Sequence, residues 1–202
     1  MRGGILKTAL ISFASALGAI ILASVAILLF FPSAAGKLTF GMGSYGASAN
    51  YALKAYEKNP TDENLKTLVE RSILAGKYEL TVEYAPGYLD CASFEAFAKK
   101  EDGKSETDKT GSYYCYVTGS YAVAEYRLGN VERALDASAL YTGEYVKFNA
   151  TEYLMEAAIE GQDKVFAKKL LMQMRGYLFP GEQGELLRRD LNVLEEFVGG
   201  RK

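Results

Sequence analysis

The chain has 202 residues and carries 23 Lys and Arg against 25 Asp and Glu, a net charge of −2. With no basic excess it offers no footprint for a phosphate backbone, which argues against nucleic acid as a partner. It has no His and only two Cys, which excludes a His general base, a His-ligated metal and a Cys₄ zinc site.

Taken in chain order, the first feature is apolar. Thr8 to Phe31 contains neither charge nor proline. A helix of that length runs about 36 Å, enough to cross a hydrocarbon core of ~30 Å with some tilt. It is longer than the apolar region of a removable signal, which spans ~7–15 residues. A signal remains the alternative, because Ser33-Ala34-Ala35 places small residues before a cut at Gly36. Arg2 and Lys7 precede the run, and Lys37 is the next basic residue. Residues 1–7 are therefore expected in the cytoplasm, 8–31 across the membrane and the bulk outside it. Ser15, Ala19 and Ala23 form a small-residue stripe that suits helix pairing, although such residues are common in spans. Pro32 and Gly36 are expected to end the helix.

Residues 32–46, rich in Ser, Ala and Gly, read as a linker, and 47–200 as the folded part. A helix is expected over Ala47–Lys58, broken at Asn59-Pro60. Thr61-Asp62 opens the next, with Leu65, Leu68, Val69 and Ile73 on one face and Gly76 at its end. A helix from Lys77 meets Pro86-Gly87, and another covers Leu89–Lys100. Glu101–Gly111 is polar throughout and reads as a loop. Ser112–Leu128 is helical and turns at Gly129-Asn130. Val131–Tyr145 follows, with Val131, Ala134, Leu135, Ser138, Tyr141 and Tyr145 on one side. Asn149 and Glu152 form a capping box that starts a further helix. After Gly161-Gln162, the residues Val165, Phe166, Leu170, Met174 and Tyr177 keep the helical period. Leu187, Leu191, Leu194 and Val198 mark a last helix after Pro180-Gly181. No stretch alternates as a strand does, so the class is all-α.

Three turns share one grammar: Leu74-Ala75-Gly76-Lys77, Leu128-Gly129-Asn130-Val131 and Glu160-Gly161-Gln162-Asp163. In each a helix ends, Gly follows and a short amphipathic helix begins. Gly129 to Gly161 is 32 residues and Gly76 to Gly129 is 53, so an irregular insertion lies between the first two. Over Leu65–Tyr177 this resembles the tetratricopeptide repeat, a helix–turn–helix unit of about 34 residues. Gly129-Asn130 and Ala134 sit where that family has its turn glycine and the small residue that lets the second helix pack closely. The family's early Trp is missing, and its Leu-Gly pair is not preserved at Tyr121-Ala122. The resemblance implies stacked hairpins that bind a protein or peptide. A non-repetitive helical bundle is the alternative.

Little catalytic chemistry is offered. Without His, neither Cys91 nor Cys115 gains a His base. Glu156, Glu160, Asp163, Glu195 and Glu196 read as solvated helix faces, and the 101–111 loop lacks calcium-site spacing. Asn149-Ala150-Thr151 matches a glycosylation sequon, though the capping box accounts for Asn149 more simply. The unusual element is tyrosine, 15 in all. Tyr113, Tyr114, Tyr116 and Tyr121 crowd one helix, with positions 114, 118, 121 and 125 on one face. They are candidates for a peptide groove, and the alternative is packing between hairpins. Cys91 and Cys115 are candidates for a disulfide in an outward domain, and two buried thiols are the alternative.

The expectation is a single-pass, membrane-anchored helical-repeat adaptor, without cofactor, metal or catalysis, binding a protein or peptide partner on the outer side. The other reading is a signal-cleaved secreted domain that binds a small ligand or sugar.

Overall fold

The computed structural model describes residues 13, 15–22, 24–26, 30–103, 112–139, 144–178 and 181–200. Among the described residues ten helices follow Phe31: α1 Pro32–Gly41, α2 Tyr45–Lys58, α3 Asp62–Leu74, α4 Tyr78–Leu89, α5 Phe94–Asp102, α6 Ser112–Arg127, α7 Val131–Ala137, α8 Glu144–Glu160, α9 Lys164–Met174 and α10 Gly181–Gly199. No strand occurs among the described residues, and the chain is all-α.

Four turns are built alike. Gly43, Gly76 and Gly129 have φ of +74°, +61° and +83°, and Gln162 has φ of +52°. At each, the left-handed residue donates its N–H three residues back, to Phe40, Ile73, Tyr126 and Ile159. The next residue donates five back: Ser44 to Thr39, Lys77 to Ser72, Asn130 to Glu125 and Asp163 to Ala158. This pair of bonds satisfies helix-end carbonyls that would otherwise lack donors. Five residues after each left-handed position stands a small buried residue: Ser48, Thr81, Ala134 and Ala167. There the second helix closes on the first. In the first hairpin the Ser48 hydroxyl donates to Gly36 O at 2.9 Å. In the second, the Ser72 and Thr81 hydroxyls meet at 2.9 Å.

Gly43 to Gly76 and Gly129 to Gln162 are both 33 residues, and Gly76 to Gly129 is 20 longer. The extra length holds α5 and the segment after it. Four hairpins result: α1–α2, α3–α4, α6–α7 and α8–α9, with α10 alone at the end. The first helices pack in series, α3 on α6, α6 on α8 and α8 on α10. Phe40 of α1 lies over Arg71 of α3 and extends the series backward. Two cores form, one mainly of α3–α6 and one of α6–α10, and Tyr121 packs against both.

The structure departs from the expectations of the sequence at several points. Residues 32–46 contain helix α1 and the turn to α2. Pro32 starts α1, where its missing N–H costs nothing, and Gly36 is buried against Tyr51. The third turn is displaced by one residue. Gln162 takes the left-handed conformation, while a Cβ on Gly161 would meet Ala157 O at 3.2 Å and Tyr126 Oη at 3.4 Å. Helix α4 continues through Pro86, which removes only one bond in its last turn. The helix expected over Leu89–Lys100 starts at Phe94. The helix from Val131 stops at Ala137, Tyr141 lies outside the described residues, and Asn149 falls inside α8 rather than at its start. Val165 is exposed, and Phe166 beside it fills the core. Cys91 and Cys115 are not joined to each other in the structure. Cys91 sits in the turn between α4 and α5, off the helix that leads into the loop, and Cys115 lies buried in α6.

The expected span over residues 8–31, the tail before it and Ala23 lie wholly or partly outside the described residues. Among the described residues no helix is long and apolar enough to cross a membrane. Residues 15–22 and 24–26 are helical, and Leu17, Ile20, Ile21, Leu22 and Val25 are exposed along them, as are Ser15 and Ala19.

Candidate functional site

The four tyrosines of α6 fall into different environments. Tyr113 is a core residue. Its hydroxyl donates to Glu70 Oε1 at 2.9 Å and lies 2.8 Å from the Tyr88 hydroxyl. A carboxylate only accepts, so the Tyr113 proton goes to Glu70 and Tyr88 donates to Tyr113. Lys66 Nζ reaches the same Glu70 oxygen at 2.7 Å and Glu101 Oε1 at 3.3 Å. Burial opposes the Lys66 charge, but these two carboxylates hold its pKa above the usual lysine value. Burial drives the Tyr88 and Tyr113 pKa values far up, and Glu70 adds to this. Both phenols stay protonated and serve as hydrogen-bond links between α3, α4 and α6.

Tyr114 stands edge-on to Phe94 at 4.9 Å and is half-buried. Tyr116 tilts against Tyr113 at 6.1 Å, and burial pushes its pKa up to about 12. The Tyr121 hydroxyl donates to the buried Glu125 at 3.3 Å, whose other oxygen accepts from Asn130 Nδ2 at 2.7 Å. Tyr113 therefore lines no groove. Tyr114, Tyr116 and Tyr121 keep partial exposure beside packed cores, and the four do not converge on one point.

The enclosed site lies elsewhere. A cavity of about 210 Å³ opens between α1, α2 and α3. Its walls include Ser33 and Lys37 of α1, Ser48 of α2, and Glu63, Asn64 and Arg71 of α3. The Arg71 guanidinium carbon sits 3.1 Å from the Phe40 ring centroid, which fixes the plane of the group. Arg71 Nη1 is buried and has no hydrogen-bond partner among the described residues. Burial lowers the Arg71 pKa from the ordinary arginine value. The sequence alone does not reveal this cavity, because the Ser, Ala and Gly residues of α1 read as linker. Pro32 at a helix start, with Ala35-Gly36 and then Ser48 twelve residues after Gly36, was the available signal.

A second polar feature is buried between α8 and α10. Glu152 meets Asp190 carboxyl to carboxyl, and burial followed by the Asp190 contact raises the Glu152 pKa to about 8. Asp190 is buried, and its Oδ2 has no hydrogen-bond partner among the described residues. Among the described residues no group of His, Cys, Asp and Glu is arranged to hold a metal ion.

Comparison with known proteins finds no matching family model, no matching curated protein and no matching solved structure.

Proposed function

We propose that the chain is a membrane-anchored, tetratricopeptide-like adaptor whose stacked hairpins bind a protein or peptide partner outside the cytoplasm. It acts by binding and catalyses nothing. The observation that carries this reading is the fourfold recurrence of one turn geometry with hairpins packed in series. Such a stack leaves a continuous face of first helices, α1, α3, α6, α8 and α10, the kind of extended surface that repeat proteins use for peptides. The anchor rests on Thr8–Phe31 and on five large apolar side chains exposed along residues 17–25, a patch that calls for an apolar covering. The outward orientation rests on Arg2 and Lys7.

The test is photocrosslinking in intact membranes. A crosslinking amino acid in place of Glu63 on α3 or Glu156 on α8, both exposed, should capture one and the same partner. The same group in place of Lys54 on α2 or Lys168 on α9, also exposed, should not. Equal capture from all four positions, or capture from none, would contradict the reading.

A further inference from the structure

The cavity between α1, α2 and α3 has features beyond those a peptide groove needs. A buried donor atom left without an acceptor is costly, so native structures give such atoms a partner. Arg71 Nη1 is such a donor at the cavity wall. Stacking on Phe40 holds its planar donor edge in place before any ligand arrives. Arg71 makes no ion pair among the described residues. Lys37, exposed on α1, adds a second positive charge to the wall, and Glu63 supplies the only negative one. The lining is thus net positive in a chain that is net negative.

The remaining polar groups narrow the ligand. Ser48 and Thr67 have spent their protons on Gly36 O and Glu63 O, and Asn64 Nδ2 gives one of its two to Asn59 O. The principal donors left are the Arg71 edge, the Lys37 ammonium and the Ser33 hydroxyl. A tetrahedral oxyanion presents several oxygens in different directions and can engage all three, with charge-assisted bonds to the first two.

We propose that this cavity binds a phosphate group, supplied by the headgroup of a membrane phospholipid. The source follows from position, and this part rests on the anchor reading above. Pro32 and Ser33 line the cavity and directly follow the apolar run that ends at Phe31. A helix over that run is about 36 Å long against a core of ~30 Å, so its end enters the headgroup layer, where phosphates lie.

The test is calorimetric titration of the full-length chain in a phosphate-free non-ionic detergent. The probes are dioctanoyl phosphatidylglycerol, dioctanoylglycerol with the same chains and no phosphate, and inorganic phosphate. The expected result is binding of the phospholipid and none of the diacylglycerol. Arg71→Gln should weaken that binding at least tenfold, and the exposed change Lys37→Gln about threefold. Lys37→Gln keeps the test decisive if Arg71→Gln fails to fold. Phospholipid binding well above that of inorganic phosphate supports the headgroup source. Equal binding of both keeps the phosphate site and overturns the headgroup source. Binding unaffected by Lys37→Gln and by a folded Arg71→Gln, or no binding of either phosphate compound, overturns the site itself. Separately, release of the chain from membranes by alkaline carbonate would remove the anchor reading and leave the titration interpretable.

Discussion

At the scale of single residues the stack depends on close approaches. A Cβ on Gly119 of α6 would lie 2.6 Å from two ring carbons of Tyr153 on α8 and 3.1 Å from its Cβ. These are atoms near the base of the side chain, which cannot swing away. Alanine gains about 1 kcal/mol of helix propensity over glycine, but overpacking costs about 1–3 kcal/mol, so the clash prevails. Gly119→Ala should destabilise by up to about 2 kcal/mol in urea unfolding, and a stabilised variant would contradict the α6–α8 packing. Gln162 offers the opposite case. It holds φ of +52° without being glycine, a conformation that costs an L-residue about 1–2 kcal/mol. Gln162→Gly loses an exposed bond from Nε2 to Ile159 O and frees the unfolded chain, which offsets part of the gain. A net stabilisation of about 0.5 kcal/mol is expected, read as a higher melting temperature. Tyr113→Phe keeps the ring but removes the hydroxyl between Tyr88 and Glu70. It leaves a buried Tyr88 hydroxyl without its acceptor and should cost about 1–3 kcal/mol.

At the scale of elements, α10 is held by a titrating contact. Glu152 has its native pKa raised from 4.5 to about 8 by burial and by Asp190. A raised native pKa means that the folded chain binds the extra proton. The contribution is complete below about pH 4.5 and is lost as pH rises toward and past about 8, with a slope of at most about 1.4 kcal/mol per pH unit for one proton. The urea midpoint should therefore fall between pH 5 and pH 9. Glu152→Gln supplies a permanent donor to Asp190 and should remove that fall. The same slope in the variant would assign the titration to another group. The elements also explain what was legible in the sequence. The stripe Leu65, Leu68, Val69 and Ile73 and the glycines at 76 and 129 are strong local signals, and they mark α3, α6 and their turns correctly. Helix α1 was hidden because its buried residues, Ala35 and Gly36, are small. Small residues read as linker composition when their partners Ser48 and Ala52 on α2 are not considered with them. Helix α8 was mistaken at its start because Asn149 and Glu152 imitate a cap. Glu152 instead reaches Asp190, 38 residues on, a contact no local pattern encodes. The cavity at Arg71 was illegible for the same reason, since it exists only once α1 is a helix. The tyrosines drew attention by number, yet their roles diverge with the neighbours α5 and α8 bring to them.

At the scale of the whole molecule, a stack of hairpins follows an apolar N-terminal run. The stack is nearly one-dimensional, so its stability is a sum over hairpins and their shared faces. Its α5 insertion is tied back by Asp62, whose Oδ2 accepts from Ser93 N at 3.3 Å, and by the Lys66–Glu101 pair. In the proposed function this stack hangs from the membrane on its outer side. Protease added to sealed, right-side-out vesicles tests it most directly. Digestion of the domain from residue 32 onward is expected, leaving a short membrane-embedded N-terminal fragment. Protection of the domain until the vesicles are opened would contradict it.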